Sequence, residues 1–101
     1  MTTHEHLYLK LMEECAEVQQ RASKLLQFGS EESQPGDYQT NEMRLREELN
    51  DLLTVIDMVE QRGFMMNGPE RLHQHMDEKR QKIAKYLAYS QELGCVDRGP
   101  S

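Results

Sequence analysis

The segment MEECAEV, residues 12–18, sets Glu13 beside Glu14 and places Glu17 one helical turn later, with Met12, Cys15, Ala16 and Val18 threaded between them. A second acid pair, Glu48 and Asp51, stands in REELNDLL at the same spacing of three. Residues three apart on a helix are neighbours and can present oxygens to one centre. Carboxylates near apolar surface are costly unless a cation meets them, and clustered carboxylates raise one another's pKa. A hard divalent cation relieves both problems. Oxygen-only ligands favour Mg²⁺, Mn²⁺ or Ca²⁺ over zinc, and Mg²⁺ in particular keeps water and recruits phosphate oxygens. The competing reading is a solvated acidic face. Charged residues make up 30% of the chain and glutamate is at home in helices, so a single ExxE carries little weight.

The elements that must position these acids are helical, and the expected fold class is all-α. Thr2 and Glu5 offer a capping box. Apolar residues follow at 7, 11, 15, 18, 22 and 25, which predicts a helix over 3–28 that ends at Gly29. Residues 29–40, GSEESQPGDYQT, read as a loop with a turn at Pro35-Gly36. The loop is long for a helix–helix connection, and loops of that kind are often functional or mobile. Thr40 or Asn41 can cap a second helix whose stripe runs Leu45, Leu49, Leu52, Leu53, Ile56 and Val59, with Gly63 as its stop. Asn67-Gly68-Pro69 restarts the chain. Leu72, Met76, Ile83 and Leu87 then mark a third helix that stops at Gly94. The expected organisation is one helical domain over 1–94 and a frayed tail over 95–101.

At about 100° per residue, Glu14 falls about 70° from the middle of its stripe and Glu17 about 130°. Glu48 and Asp51 take the same offsets with the same sign in the second helix. Antiparallel packing, stripe to stripe, then brings all four carboxylates into one groove beside the seam. Parallel packing would put the pairs on opposite sides.

Composition narrows the function classes. A net charge of −6 argues against a broad basic surface for nucleic acid. No apolar run is long enough to span a membrane, and the N-terminus MTTHEHLYLK lacks the basic and apolar stretches of a signal peptide, so the expected location is cytoplasmic. Cys15 and Cys95 form no CxxC, and Cys15 reads as a small core residue.

The acids carry a resemblance. Glu14-Cys-Ala-Glu17 followed by Glu48-Leu-Asn-Asp51 is similar to the ExxE…ExxD signature of the all-α nucleoside triphosphate pyrophosphohydrolases, a superfamily that includes MazG-like enzymes. EECAEVQQ resembles the first motif and EELNDLLTVIDM the second. The resemblance covers residues 5–60 well and the third helix loosely. It implies a three-helix MazG-like subunit that completes a helical bundle as a homodimer or homotetramer. It also implies Mg²⁺-dependent hydrolysis of a (d)NTP to monophosphate and pyrophosphate, with Mn²⁺ as a possible substitute and nucleotide-pool cleansing as a possible role. Glu14, Glu17, Glu48 and Asp51 would hold the metal, and Glu13 would be the candidate base. Lys79, Lys82 and Tyr86, on one side of the third helix, are the candidate substrate contacts, with Arg21 and Lys24 as further cations. His4, His6, Tyr8 and Tyr38 are candidates for the base of the nucleotide. Met43, Met58, Met65 and Met66 offer an apolar flank for a partner subunit. Two rivals are a di-iron bundle built on Glu70-Arg-Leu-His73 and a catalytically inactive helical interaction module.

Overall fold

A computed structural model describes residues 1–63 and 73–99. Among them are three α-helices and no strand: α1, Thr3–Phe28; α2, Asn41–Gln61; and α3, His73–Glu92. None is long and apolar enough to cross a membrane. The expected restart at Asn67-Gly68-Pro69 lies outside the described residues, as do Met65, Met66, Glu70 and Leu72.

The helix boundaries follow local chemistry. Thr2 Oγ1 accepts from the Glu5 amide at 3.1 Å, and the Glu5 carboxylate accepts from the Thr2 amide at 3.0 Å. Two of the amides left open by the first turn are thereby satisfied. At the other end the Gly29 amide donates to the Leu25 carbonyl at 2.9 Å, and Gly29 turns the chain out of the helix at φ +92°. Thr40 rather than Asn41 caps α2, its hydroxyl accepting from the Met43 amide at 3.2 Å. α2 closes at Gly63, φ +75°.

The chain divides into two units, the first holding α1 and α2 and the second α3. In the first, α1 packs against α2. Two regularly spaced series of side chains that are not fully exposed are Leu7, Leu11, Glu14, Val18, Arg21 and Leu25 on α1, and Asn41, Leu45, Glu48, Leu52, Val55 and Val59 on α2, with Lys10, Ala22, Lys24, Arg44, Ile56 and Glu60 half-buried beside them. Both series alternate steps of four and three, the seam spacing of two helices packed side by side. Among the described residues, only Leu7 and Val59 are buried apolar residues in the strict sense.

This seam is narrower than the stripes read from sequence, and it corrects two expectations. Cys15 is exposed rather than a core residue. Leu49 and Leu53, placed in the α2 stripe, are exposed at 41% and 55%. One neighbouring helix covers only a narrow band of its partner, so residues on the flank of a broad stripe stay open.

The connection 29–40 is held against the start of α2. The Asn41 amide donates to the Glu32 carbonyl and the Glu42 amide to the Ser30 carbonyl, each at 3.0 Å. The Asn41 side chain, buried and polar, gives one hydrogen to Gly29 O at 2.9 Å and the other to the Glu32 carboxylate at 2.8 Å. Arg44 forms an ion pair with Asp37. The turn at Pro35-Gly36 is present, closed by the Asp37 amide on Gln34 O at 2.9 Å with Gly36 at φ +82°. A positive φ at the third turn position favours glycine.

In the second unit α3 has no buried residue. Its end is closed by the Cys95 amide on Ser90 O at 2.9 Å and the Gly94 amide on Gln91 O at 3.1 Å, with Gly94 at φ +78°. This is the paired pattern that satisfies the last carbonyls of a helix. Gln91 Nε2 also donates to the Asp97 carbonyl at 3.0 Å.

Candidate functional site

Two acids stand inside the seam. Glu14 on α1 and Glu48 on α2 take positions that leucine or valine fills elsewhere in the two series, apart from Arg21 and Asn41 at the end of the pair nearest the connection. Sequence geometry put them beside the seam; the narrower contact puts them in it. One carboxylate oxygen each from Glu14, Glu17 and Glu48 lies within 4.8 Å of the other two. Glu17 is exposed, and Glu14 and Glu48 are half-buried. Asp51 lies outside this group of three, yet its charge acts on both Glu14 and Glu48.

The electrostatics follow from this crowding. Loss of hydration is the largest influence on Glu48, followed by its hydrogen bond with Glu17 and the charges of Glu17, Asp51 and Glu14, and its carboxyl is pushed up to about 7. Loss of hydration, then the charges of Glu17 and Asp51, also raise Glu14, while a hydrogen bond from Glu48 pulls it part of the way back. At mildly acidic pH Glu48 therefore favours its neutral form.

Glu14 Oε2 and Glu48 Oε2 are buried and have no hydrogen-bond partner among the described residues. A buried acceptor without a partner is destabilising, more so when charged. Two such oxygens on facing helices, beside a third carboxylate, match what a hard oxygen-liganded cation requires.

The remaining sequence candidates are distributed as follows. Glu13 is exposed and pairs with Lys10 at 2.9 Å. Lys79, Lys82 and Tyr86 are exposed on α3, where His75, Glu78, Lys79 and Lys82 line one shallow hollow and Lys82, Lys85 and Tyr86 help line another. Lys85 lies 5.8 Å from the centre of the Tyr86 ring. Tyr38 is 82% exposed.

Sequence reasoning missed Lys10. Its hydrogen bond to Glu13, with the charges of Glu13, Glu14 and Glu17, holds its ammonium above the usual lysine range. The spacing 10, 13, 14, 17 is one helical face, so this counter-charge was available in the sequence. Asn41 was also missed, except as a cap. Its tertiary role depends on the path of the loop, which no local pattern encodes.

Comparison with protein-family models, with curated proteins and with solved structures finds no match for this chain.

Proposed function

We propose that the chain is a Mg²⁺-dependent nucleoside triphosphate pyrophosphohydrolase of MazG-like type. The observation that carries this reading is the pair of buried, unpartnered oxygens on Glu14 and Glu48 beside Glu17. The resemblance of EECAEVQQ and EELNDLLTVIDM supplies the reaction class. Glu14, Glu17 and Glu48 would hold the metal from two helices, with Asp51 adding charge and a further oxygen. A bound divalent ion would polarise a phosphate and lower the pKa of a coordinated water. Around it, the protein's own groups have defined tasks. Glu48, whose carboxyl is raised to about 7, would have to be in its carboxylate form to hold the ion. Glu13, paired with Lys10, is the proposed acid to accept a proton from an attacking water. Lys79, Lys82 and Tyr86 are the proposed substrate contacts on α3.

Antiparallel packing of α1 and α2 belongs to this reading. It is supported by two sets of proximities, Gly29 and Ser30 with Asn41 and Glu42, and Glu14 with Glu48. Retreat along α1 is matched by advance along α2. Assembly as a homodimer or homotetramer belongs to it too. Leu49, Leu53, Met43 and Met58 are 41–55% exposed, and α3 buries none of its apolar residues within the chain. A second copy covering these faces would complete a bundle. The cytoplasm, where nucleotides and Mg²⁺ are abundant, is the proposed location.

The experiment is a panel of NTPs and dNTPs with Mg²⁺, read as released pyrophosphate. Glu14→Ala, Glu48→Ala and Asp51→Ala are expected to fold and to lose turnover. Full activity in all three, or no pyrophosphate from any nucleotide with the unaltered chain, rejects the assignment.

A further inference from the structure

A cavity of about 130 Å³ lies where the end of α1, the 29–40 connection and the start of α2 meet. Arg21, Lys24 and Arg44 bring three cations to it, alongside Phe28 and the amides of Gln34 and Gln39. In a chain of net charge −6 this concentration of positive charge is against the overall balance. Arg44 is paired with Asp37. Arg21 and Lys24 are half-buried, and neither makes an ion pair among the described residues. Glu32 is the acid lining the cavity, and the Asn41 side chain holds its carboxylate at 2.8 Å.

The position of these cations is as informative as their charge. Glu14, Glu17, Arg21 and Lys24 follow one another along one face of α1 in steps of three, four and three. Arg44 precedes Glu48 by four on α2. On each helix, then, a cation sits one turn, about 6 Å, from the acid cluster. The loop bonds that seal Asn41, Glu42 and Arg44 to residues 29–37 make this wall preformed rather than assembled by a ligand. A ligand spanning both clusters must carry anionic charge along its length, with one end suited to a cation among carboxylates and the other to Arg and Lys.

We infer that this cavity receives the terminal phosphates of the nucleotide, the portion released as pyrophosphate. The assignment rests on the pyrophosphohydrolase reading for the identity of the whole ligand. Its own content is a polyphosphate-binding pocket made by Arg21 and Lys24, with Arg44 behind them. Phosphate is preferred over a carboxylate ligand because Arg21 and Lys24 make no ion pair among the described residues and Arg offers a donor fork that matches phosphate oxygens.

The test is calorimetric titration of inorganic pyrophosphate into the metal-free full chain, which takes the acid cluster out of the measurement. The unaltered chain is expected to bind. Arg21→Gln with Lys24→Gln is expected to weaken binding by about tenfold or more, whereas Arg21→Lys with Lys24→Arg, which keeps the charge, retains most of it. Circular dichroism confirms that both variants fold. Absence of pyrophosphate binding, equal binding by the glutamine variant, or sulfate binding as tightly as pyrophosphate overturns the inference. Asp51→Asn separates the two readings, because it removes turnover if the proposed function holds and leaves this titration unchanged. If no nucleotide is hydrolysed, the function falls, and the titration still decides the pocket.

Discussion

Glu48→Gln changes the seam in a way whose magnitude can be worked out. Glu48 has its carboxyl raised from 4.5 to about 7. Below pH 4.5 the group is protonated in both folded and unfolded chains and has no effect on the folding equilibrium. Between 4.5 and about 7 the unfolded chain releases its proton while the folded chain retains it, so stability falls as pH rises, and it levels off above the folded value. At about 1.4 kcal/mol per unit, the full shift corresponds to roughly 3 kcal/mol, and solvent screening at a half-exposed site reduces this to about 1 kcal/mol. Glutamine imitates the protonated acid and removes the titration. The metal-free variant is therefore expected to equal the unaltered chain near pH 4.5 and to exceed it by about 1 kcal/mol near pH 8. Urea denaturation at a series of pH values measures both curves. Mg²⁺ at about one hundred times its Kd should then stabilise the unaltered chain by about 2.7 kcal/mol and the variant far less. Parallel curves across this range refute the desolvated acid cluster, and equal stabilisation of both chains by Mg²⁺ refutes Glu48 as a ligand.

Other perturbations test the scaffold and the substrate contacts. Asn41→Ala removes the side chain that ties Gly29 O and Glu32 to α2 and should cost about 1–3 kcal/mol by denaturant titration. Gly36→Ala, at φ +82°, should cost about 1 kcal/mol in the same assay without altering turnover. Thr2→Ala opens the capping box of α1, with an expected loss of about 1 kcal/mol. Lys79→Ala and Lys82→Ala should raise KM or lower kcat at unchanged stability, and unchanged kinetics in both would remove α3 from the substrate site.

Much of this architecture was written locally. Three helices, the capping box at Thr2 and Glu5, the turn at Pro35-Gly36 and the stops at Gly29, Gly63 and Gly94 follow from backbone preferences of residues close in the chain, so reading along the chain recovers them. The acids of α1 and α2 were also legible as candidates, because a spacing of three is a helical neighbourhood wherever the helix lies. The width of the buried face was not. Periodicity marks a direction on a helix, but how much of that side is covered depends on what packs there, and one partner helix covers only a band. For that reason Cys15, Leu49 and Leu53 are open, while Val55 is half-buried and Glu14 and Glu48 lie in the seam.

Sequence alone determined where carboxylates, cations and turns stand along each helix, because those properties belong to single residues and short spacings. Tertiary structure decided which of them meet. The unpartnered oxygens of Glu14 and Glu48, the amide of Asn41 spanning from α2 to Gly29, and the convergence of Arg21, Lys24 and Arg44 all join residues far apart in the chain. Their loss of hydration and mutual charge arise only when folding brings those groups within a few ångströms.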